Sequence, residues 1–279
     1  MHFTKMHGLG NDFIIIDDRA SKLRKAPALS KTICDRRVGI GADQVLLLRR
    51  SRKADFKMLI FNSDGSAVEM CGNGIRCLAK YIWDNKLAPS SKRKKQDPEI
   101  LAIETLAGII YPEKSDSLVR VDMGEPVLEG KDIPVKIKGQ VMNHSLKIKD
   151  RTFRITCVSM GNPHAVIVTK NVDSFPLHNY GPIIENHRLF PNRTNVEFIE
   201  VLSRSSIKMR VWERGAGETM ACGTGASAVG VASFLLGLTK RNVTAHLPGG
   251  KLKINWSAKD NHVYMTGPAV KVYEGTMEI

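Results

Sequence analysis

Long apolar runs are missing from this 279-residue chain, which excludes a helical membrane protein and leaves no membrane partner expected. The opening residues, MHFTKMHGLGNDF, lack the basic segment and apolar stretch of an export signal, so the cytoplasm is the expected location. Cysteine is scarce and odd in number: Cys34, Cys71, Cys77, Cys157 and Cys222 include no CxxC pair and no zinc-finger spacing, which points to free thiols. No pyridoxal-lysine motif or metal-ligand cluster is apparent, so neither cofactor nor metal is expected. Aromatic residues make up only 6%, which weakens the nucleic-acid reading that a net charge of +14 invites. The one dense basic run, Lys92, Arg93, Lys94 and Lys95, has no interleaved aromatics and reads as a solvated loop over 90–97 rather than a nucleic-acid site.

What the chain does have is internal repetition at an offset of 151 residues. FKMLIFN (56–62) lies over IKMRVWE (207–213), and both read as strands. Asn11 falls on Asn162 and Gln44 on Asn195, each beside an apolar segment (FIII, AVIV, VLLL, VEFI). Cys71-Gly72 falls on Cys222-Gly223, and Gly74 on Gly225. Further on, AGIIY (107–111) matches GGKLK (249–253) at an offset of 142, so the first half carries an insertion of eight or nine residues, best placed in the basic loop. Several landmarks at one spacing point to a duplicated α+β chain with its boundary near 122–130, where MGEPVLEG supplies turn residues.

The two Cys-Gly-x-Gly turns carry the chemistry. After the first, Ile75, Leu78, Ala79 and Ile82 form the stripe of an amphipathic helix. After the second, everything from Ala226 to Leu236 is apolar or small, as in a helix enclosed on all sides. A helix start offers unpaired N–H groups and the positive end of the macrodipole, and glycine lets a ligand approach the backbone. Neither motif ends in the Lys-Ser/Thr of a phosphate loop, so the expected anion is a carboxylate. The same field lowers the pKa of a cysteine placed there, and both Cys71 and Cys222 qualify. Cys34, Cys77 and Cys157 lack such a setting and read as structural. A thiolate and a thiol facing each other across one α-carbon can take a proton from one face and return one to the other, which is stereoinversion. Fixed N–H dipoles must then stabilise the enolate-like carboxylate.

These residues belong to stretches in which the whole chain resembles the diaminopimelate epimerase family: KMHGLGNDF, GADQ, NSDGSAVEMCGNGIRC, MGNPH, RTNVEF, ERGAGETMACGTGA, LPGG and TGPAVKVYEG, in that order. The resemblance implies cofactor-independent interconversion of LL- and meso-diaminopimelate, on the route to lysine and peptidoglycan. It makes Cys71 and Cys222 the acid/base pair, with Glu213 and His164 assisting at the reacting centre. It assigns Gly72, Asn73, Gly223 and Thr224 to the reacting end of the substrate, and Asn11, Gln44, Asn62, Asn162, Asn195 and Arg214 to the rest of the pocket. Tyr273 matches a position associated with family dimerisation, so a homodimer is implied, although a core tyrosine fits nearly as well. For His164 a packed structural histidine, and for each asparagine a turn residue, remain alternatives.

The expected fold is α+β, two pseudo-symmetric domains, each a mostly antiparallel or mixed sheet or barrel around a central helix. The first spans residues 1–122 with the C-terminal strand 269–279 returning to it, and the second spans 123–268. The rival function is a proline or hydroxyproline racemase of the same architecture. A cyclic substrate has no distal carboxylate for Arg214 to bind, which favours diaminopimelate.

Overall fold

The computed structural model describes residues 1–88 and 99–278; the basic run at 90–97 lies outside the described residues. The chain divides into two compact units, Met1–Val121 with Thr266–Ile279, and Asp122–Met265.

The first unit contains β1 (His2–Gly8), β2 (Asn11–Asp17), α1 (Ala26–Ile33), β3 (Gln44–Arg49), β4 (Phe56–Asn62), β5 (Ala67–Val68), α2 (Gly72–Asp84), β6 (Ile103–Thr105), β7 (Gly108–Ile110), β8 (Glu113–Ser115) and β9 (Leu118–Asp122). Its sheet runs β1-β2-β3-β4-β6-β7, with β5 on β4; β2 pairs with β3 and β4 with β6 in parallel, the other neighbours antiparallel. FIII and VLLL are apolar at every position because the sheet is covered on both faces. Ile14, Ile16, Val45 and Leu47 pack with Ile33 of α1. Phe13 and Leu46 point the other way, under the start of α2. The α2 stripe of Ile75, Leu78, Ala79 and Ile82 is fully buried.

The second unit repeats this order with β10 (His144–Ile148), β11 (Arg151–Ser159), β12 (Pro163–Val168), α3 (Leu177–Glu185), β13 (Asn195–Ser203), β14 (Ser206–Glu213), β15 (Gly217–Thr219), α4 (Gly223–Leu235), β16 (Asn242–Leu247), β17 (Gly250–Trp256) and β18 (Val263–Gly267). Strands run β10-β11-β12-β13-β14-β16-β17-β18, with β15 on β14, and the parallel pairs are again the second with third and fourth with fifth of the repeated set. Ala165, Ile167, Val196 and Phe198 pack with Leu177, Tyr180 and Ile184 of α3 on one face. On the other face α4 is buried continuously from Gly225 to Ser233, while Phe234, Leu235 and Leu236 are half-exposed, so enclosure stops short of the helix end. The last strand, β19 (Val270–Thr276), pairs antiparallel with β1 and forms the edge of the first unit's sheet.

Each unit is thus a mixed sheet with one helix outside and one against its inner face, an α+β fold built twice in one order.

Candidate active site

Cys71 and Cys222 occupy the same position in the two units, the extended residue that caps α2 and α4. Extended φ and ψ at each cysteine (−137° and 116°, −123° and 113°) aim its side chain back over the first turn, where Ser, Thr or Asp usually sits. In α2 the Gly74 N–H donates to Cys71 Sγ at 3.4 Å. In α4 Cys222 Sγ lies 3.5 Å from Thr224 Oγ1. Gly72, Asn73, Gly223 and Thr224 form the first turns, whose N–H groups have no carbonyl four residues back within the helix.

Beside Cys71 the first unit places Asn11 and Asn73, while Gln44 and Asn62 meet where β3 begins and β4 ends. The Asn11 Oδ1 accepts from Asn73 Nδ2 at 3.2 Å and from Cys71 Sγ at 3.7 Å, while its Nδ2 donates to Asp43 Oδ2 at 2.8 Å. Gln44 and Asn62 are register partners across β3 and β4, joined by a 2.8 Å bond from Gln44 Nε2 to Asn62 Oδ1. Two features here escape motif reading. Arg36 bridges Asp12 and Asp43 at 2.8 Å each, and Lys5 reaches Asp12 at 2.7 Å, so Asp43 is braced where it holds Asn11. Burial opposes the Asp12 charge, but the bonds from Arg36 and Lys5 outweigh it and hold this carboxyl well below the usual range. Arg76, 0% exposed inside α2, donates to the carbonyls of Gly72 and Pro268 and to Asn73 Oδ1.

Around Cys222 the second unit gathers Asn162, His164, Glu213 and Thr224. Glu213 Oε1 accepts from Thr219 Oγ1, and burial pushes the Glu213 carboxyl up despite the hydrogen bonds from Thr219 and Cys222. His164 bonds Asn162 Oδ1 through Nε2 at 2.9 Å and Glu197 Oε1 through Nδ1 at 2.6 Å. Asn195 spends its amide on the main chain: Nδ2 donates to the Pro163 carbonyl at 2.8 Å and Oδ1 accepts from the Arg214 N–H at 2.9 Å. Glu185 accepts from the Gly215 N–H at 2.9 Å, so the Arg214 turn is held from two sides. Arg214 itself is exposed, with Nη1 donating to the Asn192 carbonyl at 3.1 Å.

The lowered cysteine pKa expected at both helix starts does not hold for Cys222. Burial first, then the neighbouring Glu213 and Glu197 carboxyls, push its thiol well above the ordinary value. A helix terminus contributes a partial charge, whereas desolvation and two nearby carboxyls act together against the thiolate. Cys34, Cys77 and Cys157 are buried, and burial raises Cys34 to about 11 and Cys77 to about 12. A shallow cavity of about 520 Å³ lined by Arg151, Phe153, Lys170, Asn171 and Phe175 contains none of the predicted site residues.

Glu197, Asp43, Arg76 and Glu185 were not legible as site residues. For Glu197 a signal existed, a charge inside the otherwise apolar NVEFI.

The family model described as diaminopimelate epimerase matches residues 3–129 and 156–272. Diaminopimelate epimerases of Acetivibrio thermocellus and Methanococcus maripaludis are 50% and 51% identical to this chain, each alignment covering all of it and 99% or 100% of the relative. That of Moorella thermoacetica is 52% identical, covering 99% of this chain and 98% of the relative. Among solved structures, a phenazine biosynthesis protein of the PhzF family from Bacillus anthracis superposes with a TM-score of 0.74 at 15% identity, over 100% of this chain and 99% of that one. A hydroxyproline epimerase from Agrobacterium vitis gives 0.68 at 15% identity, over 99% and 91%. These structural likenesses establish a shared fold, while the half-identical, full-length relatives and the family model distinguish among its branches. The chain belongs to the diaminopimelate epimerase family.

Proposed function

We propose that this chain interconverts LL- and meso-diaminopimelate in the cytoplasm, without a cofactor, for lysine and peptidoglycan precursor synthesis, with Cys71 and Cys222 as its two acid/base groups. The observation that carries this reading is the equivalence of the two thiols, each the cap of the inner helix in one of two units with the same strand order. Stereoinversion needs one group to remove the α-proton and another to deliver a proton to the opposite face.

The surroundings suggest unlike resting states. Cys222, with its raised thiol, starts as the acid. Glu213, its carboxyl raised beside that thiol, takes the proton when Cys222 must act as base in the reverse direction. Cys71, half-exposed and receiving the Gly74 N–H, starts as the thiolate. The first-turn N–H groups of Gly72 and Asn73, and of Gly223 and Thr224, stabilise the substrate carboxylate as it gains enolate character. Arg214 takes the distal carboxylate, and Asn11, Gln44, Asn62, Asn162 and Asn195 supply or orient the polar lining. His164 assists beside Cys222.

Tyr273 serves as a dimer contact in this reading. It is exposed with Val270 and Val272 on the edge strand β19, and its ring meets Phe3 edge-on at 5.9 Å.

The test is incubation with LL-diaminopimelate in deuterated water, comparing the wild type with Cys71→Ala and Cys222→Ala. Solvent deuterium at the α-carbon for the wild type, and loss of epimerisation in both variants, is expected. Normal turnover by either variant rejects the two-thiol mechanism.

A further inference from the structure

Beneath the two helix starts, equivalent strand positions carry opposite chemistry. In the first unit these positions are Phe13 and Leu46, and a Cβ added at Gly74 would lie 3.4 Å and 3.3 Å from them. At the 151-residue offset their counterparts are His164 and Glu197. A Cβ at Gly225 would lie 2.8 Å from Glu197 Oε1 and 3.3 Å from Cys222 Sγ, so the carboxyl and the thiol flank one point. Both members of the polar pair are 0% exposed.

Burying a carboxylate is costly unless it is well partnered, and even a neutral polar group is penalised when left unpaired. Glu197 has His164 at Oε1 and no hydrogen-bond partner at Oε2 among the described residues. Packing does not require this charge, because leucine fills the twin position. The bonds around the pair indicate what it does instead. Asn162 turns its carbonyl oxygen to His164, so Nε2 carries a proton. Nδ1 and Glu197 then share one further proton across 2.6 Å, and the pair stays neutral overall wherever that proton rests. With its oxygen so used, Asn162 keeps its NH2 free of partners among the described residues. Asn11, the twin asparagine, is polarised the other way: Asp43 takes its NH2, and its oxygen faces Cys71 and Asn73.

We propose that Glu197 is a positioning residue for the epimerisation: it keeps a second proton available to the His164 ring without burying a net charge, and through His164 it fixes Asn162 as a hydrogen-bond donor to the substrate. The logic is that of a carboxylate orienting a catalytic imidazole. It rests on the epimerase reading given above. The titratable groups facing the pair are Cys157 from β11, Glu213 from β14 and Cys222 at the start of α4.

Two measurements test it. The first is a double-mutant cycle on kcat/KM with Glu197→Leu, His164→Phe and their combination, which copies the Phe13–Leu46 pair of the first unit and therefore folds even if a lone change does not. Each single change is expected to lower kcat/KM by about 10²-fold, and Glu197→Leu to cost nothing further once His164 is phenylalanine. Losses that multiply, or a Glu197→Leu enzyme of wild-type activity, overturn the proposal. The second measurement is nitrogen-15 NMR of the His164 ring. Both ring nitrogens should report a bound or shared proton in the wild type and only one in Glu197→Gln; identical spectra overturn it. The NMR result does not depend on turnover, so a protein that fails to epimerise diaminopimelate while showing this ring state rejects the function alone.

Discussion

Gly225→Ala and Gly74→Ala are the same change at equivalent places, and they should not behave alike. Both glycines lie in the first turn of a helix, where alanine is intrinsically better by about 1 kcal/mol. At Gly74 the new methyl group meets Leu46, Cys71 and Phe13 at 3.3–3.4 Å, apolar and sulfur-bearing side chains that can yield by a few tenths of an ångström. The propensity gain and the crowding nearly cancel. At Gly225 the nearest atom is Glu197 Oε1 at 2.8 Å, and that oxygen is pinned by its 2.6 Å bond to His164. Either the carboxyl moves, losing a charge-assisted bond of about 1.5–3 kcal/mol, or α4 shifts within a packed unit at about 1–3 kcal/mol. Set against the propensity gain, a net destabilisation of up to about 2 kcal/mol follows, a fall in melting temperature of up to roughly 4 °C for a chain of this size. Calorimetry and steady-state epimerisation measure both effects, and activity should fall further than stability because the disturbed bond lies beside Cys222. Equal melting temperatures with equal activities for the two variants would refute the contact argument.

Other consequences are as direct. Arg76→Met removes the side-chain donor from three acceptors, two buried and one, the Pro268 carbonyl in the returning C-terminal segment, part-buried; urea denaturation should show a loss of about 3 kcal/mol or more. Glu213 binds its proton more tightly folded than unfolded, so its contribution to stability is full below the ordinary glutamate pKa and is lost as pH rises through the raised one. Glu213→Gln should therefore lessen the decline in stability as pH rises above the ordinary glutamate pKa, and an unchanged decline would count against that burial. Tyr273→Asp places a charge on the β19 edge; if the proposed dimer forms there, sedimentation should show the wild type as a dimer and the variant as a monomer, and equal profiles would reject Tyr273 as a dimer contact.

Sequence alone reached the parts of this fold that repeat. The 151-residue offset aligned β4 with β14 and both cysteine caps, because duplication preserves spacing where helix and strand meet. FIII and VLLL stood out as apolar segments, but an unbroken apolar run has no polar side to orient it; that both faces are covered, and which meets α1 and which α2, came only with the fold. Electrostatics was the least legible layer. The rise at Cys222 comes first from burial and then from Glu213 on β14 and Glu197 on β13, two paired strands that approach one helix start only in the folded chain. The bracing of Asn11 by Asp43 likewise spans β2 and the approach to β3, and only folding brings the two together.

The central claim, two thiols acting from opposite sides, has a direct isotopic measurement. LL-diaminopimelate is turned over in deuterated water and stopped early, and deuterium is quantified separately in the meso product and in the recovered LL substrate. Two groups predict deuterium in the product and almost none in the recovered substrate, because the group that delivers the solvent proton is not the one that removed the substrate's. Equal deuterium in both pools from the first turnovers would mean one group serves both faces, and would contradict the account.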